Sequence, residues 1–518
     1  MNKLKSIVSI FLLILPGVVL FFILYSYNGV GITHDSVFYI RMAQSISQGE
    51  GLFVDGKFIN HWPPGYPALI SFFSKILKQP PINSLIYLQI FLYYLSGLFF
   101  FILLKQLNFN SSKCKILTFV FLISFPIIHI SVLAWSELAF IVILLIITNA
   151  WVYWLKSNRE YYLFIAGFFS GLLFLIRFAG ISFVAGFGIF LLIEFIFSNQ
   201  LKSFIRNIFS YYLPFGIIFT GWNFYTKSFG NSFSDRTISI YIPSLKYIIK
   251  TSLTVLEQIF GNDETLFFLL VIFIIIYVFK ARNEVYNLIF FKYIKVNERK
   301  FTILFTVLVL TYLLFIFIAK VLFDRGIPFN IRIFSVIFPL FLILISLFFK
   351  NREDLTSYAL FYLILFLITL GGMERLYAFY RDGYGFNSRF YKSIDYSTID
   401  SLFKHKKVYS PQSPAFFYLH NLINNTKSCS DKFVRIQVKK LPDSIRENIK
   451  SGQAVFLCVE GDKRGHFGIK HRFLPNVVHL FYHRELKNNK KGNYCNVKID
   501  TSLYKHYFFG GVYIDNHK

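Results

Sequence analysis

Apolar runs of about 20 residues, the length that crosses a bilayer as a helix, recur along most of this chain. They lie near 6–27, 82–104, 116–133, 137–155, 161–176, 179–197, 208–225, 265–281, 301–319, 332–349 and 356–373, about eleven spans in all. The 518 residues are 55% hydrophobic and 20% aromatic, more apolar surface than a soluble core can hide. The chain therefore reads as a mainly α, polytopic membrane protein. Lys3 and Lys5 precede the first run as in a signal peptide, but the run is too long and lacks a small-x-small cleavage site. It reads as a retained first span with a cytoplasmic N-terminus.

Charge sets the orientation. With the N-terminus inside, the cytoplasmic loops carry Lys105, Lys113 and Lys115, then Lys156 and Arg159, then Lys202 and Arg206. Lys280, Arg282, Lys292, Lys295, Arg299 and Lys300 follow, with Lys350 and Arg352 closing the set. The opposite loops are poorer in basic residues, which is the positive-inside pattern. The net charge of +27 comes with no nucleic-acid reader motif, so it reads as this bias plus attraction to anionic headgroups. Cys114, Cys429, Cys458 and Cys495 form no CxxC pair and show no metal-ligand spacing.

An odd number of spans divides the chain into a membrane domain, 1–373, and an extracytoplasmic tail, 374–518. The tail alternates as strands do in Phe433-Val-Arg-Ile-Gln-Val-Lys439 and Gln453-Ala-Val-Phe-Leu-Cys-Val459, and has helical patterns near 396–404 and 442–450. It reads as a small α/β domain. Two outer loops, 28–81 and 226–264, exceed what a turn needs. Val37, Ile40, Ala43 and Ile46 in the first, and Leu245, Ile248, Ile249, Leu253, Leu256 and Ile259 in the second, recur at helical spacing. Both read as amphipathic helices in the interface plane.

The chemistry-bearing residues gather on this outer side. Asp35, beside His34, is either an acid favoured by the first turn of a helix or a general base at the membrane surface. In Asn60-His-Trp-Pro-Pro-Gly-Tyr-Pro67, three prolines stiffen the return to the membrane and Gly65 permits a bend, fixing His61, Trp62 and Tyr66. Ser136-Glu137 opens the fourth span. Arg177 interrupts the apolar run from Tyr161 to Phe197 at an outer hairpin, and Arg332 opens the tenth span with Lys320 and Arg325 before it. A guanidinium at such a position snorkels or pairs with an anion, and a lipid-linked phosphate suits its bidentate fork.

Asp35 with Tyr39-Ile-Arg-Met-Ala43 and Gly49-Glu-Gly51, Pro63-Pro-Gly-Tyr-Pro67, Ser136-Glu137, Arg177-Phe-Ala-Gly180, Gly221-Trp-Asn223 with Gly230, and Arg332 ahead of Pro339 follow one another in an order that resembles the GT-C-type glycosyltransferases. That group includes the protein O-mannosyltransferases and the lipid A aminoarabinose transferases. The resemblance implies a sugar donor on a polyprenyl phosphate, an envelope acceptor and a site on the outer face of the cytoplasmic membrane. It implies Asp35 as the base, Arg177 and Arg332 with Lys320 as donor-phosphate ligands, and His34, Tyr39, His61, Trp62 and Tyr66 as pocket residues. Many members carry Asp-Glu where this chain has Asp35-Ser36. A second carboxylate role therefore falls to Glu137 or Glu50, and use of a divalent metal stays open, with no cofactor specified. The alternatives are a glycan polymerase or ligase with a diphosphate-linked oligosaccharide donor, and a transporter or flippase. The latter needs polar mid-membrane residues and broken helices in corresponding halves, whereas the spans here are mostly clean Phe/Ile/Leu runs.

Overall fold

The computed structural model describes residues 2–54, 57–230, 234, 242–249, 252–253, 296–322, 330–350, 355–383, 407–410, 433–435, 454–460, 477–482, 491–494, 497–500 and 505–510. The chain divides into two compact units, Met1–Tyr27 with Tyr39–Tyr380, and Asn28–Phe38 with Arg381–Lys518.

The first unit is a helical bundle. Its elements in order are α1 (Asn2–Asn28), α2 (His34–Gln48, whose first residues belong to the second unit), β1 (Phe53–Val54), β2 (Lys57–Phe58), α3 (Gly65–Leu77) and α4 (Pro81–Gln106). There follow α5 (Ser111–Ile123), α6 (Phe125–Ser131), α7 (Glu137–Ser157), α8 (Tyr161–Ile176), α9 (Ile181–Ser198) and α10 (Leu201–Ser228). After 296 come α11 (Val296–Leu322), α12 (Ile331–Phe334), α13 (Phe338–Phe348) and α14 (Leu355–Asp382).

Among the described residues, five helices are long and apolar enough to cross a membrane, or six if the bent pair α5–α6 is one span. The expected spans at 6–27, 161–176 and 332–349 appear as shorter apolar helices, and 265–281 lies outside the described residues. The third and tenth spans are broken where one continuous helix was expected. In the third, the chain turns by 52° at Ser124, which is extended and precedes Phe125-Pro126. Pro126 sits in the first turn of α6, where its missing N–H leaves no donor to the preceding turn and the helix cannot run on from α5. Pro339 likewise opens α13 after α12 has ended.

Two ends of the bundle are marked by different chemistry. At one, the C-terminus of α4 is clasped by cations from other loops. Lys350 Nζ donates to the Leu107 carbonyl (2.9 Å) and to Glu298 Oε1 (2.6 Å), and Lys156 Nζ to the Gln106 carbonyl and Asn108 Oδ1. Cations there complement the helix dipole. These loops are among those the basic residues group together in the sequence. Lys156 ends α7 and Glu137 begins it, so the two ends lie about 30 Å apart, the thickness of a hydrocarbon core. On α10, Leu201, Ile205, Phe209, Leu213 and Ile217 form an exposed stripe at four-residue spacing, suited to lipid.

The break at Ser124 receives α14. A methyl group on Gly372 would collide with the Ile123 backbone carbonyl, so the two backbones meet there without a side chain between them. Gly372→Ala is expected to cost about 3 kcal/mol or more through overpacking against main chain that cannot retreat. Thermal unfolding of the solubilised protein checks this; an unchanged midpoint would remove the contact's importance.

In the second unit β3 (Lys407–Ser410), β4 (Phe433–Arg435), β5 (Ala454–Glu460), β6 (Val477–Tyr482) and β9 (Lys505–Gly510) form one sheet, in the order β4-β3-β5-β6-β9. β3 pairs in parallel with β4 and β5; β5–β6 and β6–β9 are antiparallel. β7 (Lys491–Tyr494) and β8 (Val497–Asp500) form a separate antiparallel pair. The strands expected within 433–439 and 453–459 are present; the helices expected at 396–404 and 442–450 lie outside the described residues.

Candidate active site

The first outer loop folds back on itself rather than lying flat. Ile40, Met42 and Ala43 of α2 are fully buried, and Ser47 Oγ meets Ser71 Oγ of α3 at 2.8 Å. The expected interfacial stripe of α2 is thus covered by protein at Ile40 and Ala43. In the second loop 245–249 are helical, with Leu245 and Ile249 exposed; most of that loop lies outside the described residues.

Gly65 follows a bend and also makes a close contact. It begins α3, and a Cβ there would stand 2.7 Å from the Leu175 carbonyl oxygen. Absence of a side chain lets the return leg rest on the last turn of α8, two residues before Arg177. This contact fixes Tyr66, which is fully buried, accepts a hydrogen bond from Gln89 Nε2 (2.9 Å) and meets the Tyr39 ring edge-on at 5.1 Å. The Tyr39 hydroxyl lies 3.4 Å from Ser136 Oγ. Trp62 meets Tyr39 edge-on at 6.4 Å and His61 packs on Trp62 at 4.6 Å. Burial, with Tyr39 and Glu137 nearby, pushes the Tyr66 hydroxyl well above its ordinary pKa, so it is neutral and keeps its proton.

Glu137, the first residue of α7, is favoured there by the helix dipole and is completely buried. Arg177 sits at an extended residue that ends α8 before the single 3-10 turn Phe178–Gly180. Its Nη1 donates to Glu137 Oε1 at 2.6 Å and to Ser136 Oγ at 3.1 Å. Arg332 Nε donates to the same Oε1, and its guanidinium lies over the Trp135 ring at 4.2 Å. Glu137 Oε2 is buried and has no hydrogen-bond partner. The arginine side chains keep 18% and 16% of their surface exposed, against 0% for the carboxylate. The anion expected for each cation is thus already present in the chain. The arrangement is a cationic cradle built on a buried carboxylate, able to hold an anionic group.

Lys320, grouped with these arginines in the sequence, is buried near the end of α11 over the Tyr247 ring (5.3 Å) and does not join them on Glu137. Asp35 and His34 belong to the second unit. Asp35 lies in the first turn of α2 with 26% of its side chain exposed, and its Oδ1 is 3.6 Å from His34 Nδ1. Glu50 stands 3.5 Å from Ser45 Oγ. Among the described residues no three His, Cys, Asp or Glu side chains converge as a metal would require. Two guanidiniums at Glu137 also oppose a further cation, so this donor set does not suit a divalent metal.

Sequence reasoning missed Gln89, whose Nε2 also donates to the Leu133 carbonyl (3.0 Å); a lone amide inside an apolar run was the available signal. It also missed a buried pair, Arg375 Nη2 on His129 Nδ1, with the His129 ring edge-on to Trp135 at 5.4 Å. The sequence places Arg375 past the last span, whereas α14 runs on to Asp382.

The helical bundle has a GT-C-type membrane fold. Two solved structures share it. ArnT from Cupriavidus metallidurans bound to undecaprenyl phosphate is 11% identical, with 86% of this chain and 92% of that one covered at a TM-score of 0.51. The apo oligosaccharyltransferase of Archaeoglobus fulgidus is 13% identical, covering 88% and 69%, at 0.50. No protein-family model and no curated protein matches the sequence.

Proposed function

We propose that this chain transfers a sugar from a polyprenyl-phosphate donor to a cell-envelope acceptor, at a site on the outer face of the cytoplasmic membrane. The observation that carries the reading is the partly exposed pair Arg177 and Arg332, converging at one end of a GT-C-type bundle. Two partly exposed guanidiniums match a phosphate, and a structural neighbour was solved with undecaprenyl phosphate bound.

In this reading the arginines hold the donor phosphate, with Lys320 raising the local potential. Asp35 takes the proton of the acceptor hydroxyl. The acceptor oxygen attacks the anomeric carbon from the side opposite the phosphate, inverting it. The bond from that carbon to the phosphate oxygen breaks, and the phosphate leaves with the electron pair. Neutral Tyr66 and Tyr39, with Trp62, His61 and His34, form the walls that orient the sugar. Positioning and charge stabilisation supply most of such catalysis. The N-terminus and the basic loops face the cytoplasm, and the unit after 380 stands outside it.

Purified protein in lipid nanodiscs, given polyprenyl-phosphate monosaccharides and an envelope extract, is the test. Mass spectrometry should detect free polyprenyl phosphate and one glycosylated acceptor, the acceptor that loses its sugar in cells without the protein. Turnover of a diphosphate-linked oligosaccharide, with none of any monosaccharide carrier, would replace this reading with the polymerase one.

A further inference from the structure

Three consecutive residues at the junction of α6 and α7 hold the two arginines. Trp135 carries the Arg332 guanidinium over its ring at 4.2 Å, Ser136 accepts from Arg177 Nη1 at 3.1 Å, and Glu137 accepts from both. A carboxylate oxygen fixes where a cation sits, and a ring face against it also limits how the flat fork can swing. Arg332 needs such a support, because α12 is a single turn, too short to hold its own shape. That turn packs against α6, so the segment that supplies Trp135 also seats the helix that supplies Arg332.

Behind Trp135 lies a buried line of side chains reaching the last helix. The His129 ring meets Trp135 edge-on at 5.4 Å and stacks on Phe125 at 5.7 Å. Arg375 of α14 lies over Phe125 at 5.6 Å and donates from Nη2 to His129 Nδ1. A guanidinium has donors only, so Nδ1 accepts and the imidazole carries its proton on Nε2. Gly372, one turn before Arg375, is the residue that lets α14 close on the break at Ser124. A buried cation inside a membrane bundle is costly, and here its contacts run to the ring that supports a site arginine.

Resting on the transferase reading, we propose that Trp135 is the positioning residue that aims Arg332 at the donor phosphate, and that Arg375 braces it from α14 through His129. Holding Arg332 in place beforehand removes the ordering cost that binding would otherwise carry.

The test is equilibrium binding of undecaprenyl phosphate to the full chain in lipid nanodiscs. Trp135→Leu should weaken binding about 10-fold, and Trp135→Phe, which keeps a smaller ring face, about 3-fold. Beside Arg332→Gln the Trp135→Leu loss should shrink below about 2-fold, whereas beside Arg177→Gln it should stay near 10-fold. A loss that persists in full beside Arg332→Gln would overturn the proposal, since Trp135 would then support the site as a whole. So would Trp135→Leu protein that binds as wild type does. His129→Asn places an amide oxygen near the position of Nδ1, so Arg375 keeps an acceptor while Trp135 loses the ring beside it. It should weaken binding about 3-fold, again only where Arg332 is present. Undiminished binding by His129→Asn would overturn the brace. A wild-type chain that binds no undecaprenyl phosphate would defeat the transferase reading itself, and this inference with it.

Discussion

Replacing Arg177 with alanine is expected to lower kcat/KM for sugar transfer by about 10²–10³, the loss typical of removing one preorganised donor from a developing anion. Arg177 reaches Glu137 Oε1 at 2.6 Å and Ser136 Oγ at 3.1 Å, and part of its side chain remains open to a ligand. The same substitution leaves a completely buried carboxylate with one cation in place of two, and breaking such a pair costs about 3–5 kcal/mol of stability. Activity and stability must therefore be separated. In the double variant Arg177→Ala/Glu137→Gln the unpaired charge is gone, so stability should largely return while transfer stays low. Release of the carrier phosphate and thermal unfolding are the two readouts. Should the double variant regain transfer together with stability, Arg177 would be a counter-ion and nothing more.

Asp35→Asn is expected to lower kcat by about 10²–10⁴, the contribution of a positioned general base. Asparagine fits the first turn of α2 as aspartate does and keeps the side-chain shape. The donor KM should hold, since the arginines and not Asp35 are assigned to the phosphate. An Asp35→Asn protein that transfers sugar at the original rate would dismiss Asp35 as the base while leaving the cradle intact. A fall in donor affinity with kcat unchanged would move Asp35 into donor binding.

The sequence revealed which residues interrupt the apolar runs, because a charge inside a span announces itself against Phe, Ile and Leu. Glu137, Arg177 and Arg332 were legible for that reason, as was their gathering at one end of the bundle, from the distribution of lysines and arginines between alternate loops. Their partners were not legible. Arg177 and Arg332 meet Glu137 across 40 and 195 residues of chain, and nothing in local spacing encodes such a meeting. The break at Ser124 could have been read from Pro126, yet the apolar run passes through it unchanged. Gly65 was noticed for the bend its prolines suggest, but its close approach to the Leu175 carbonyl on α8 could not be read from its neighbours. Gln89 and Trp135 were passed over because one amide and one indole in an apolar setting look ordinary until their contacts are seen.

The seam between Gly65 and the Leu175 carbonyl has a consequence for how such a chain can diversify. Sliding α8 along its axis would carry the loop aromatics with it, so under the proposed function neither the arginine pair nor the aromatic walls can be retuned by moving main chain alone. If the proposed function holds, a descendant accepting a bulkier sugar would have to trim side chains off the seam, at Tyr39 or Trp62, and inherit the rest unaltered.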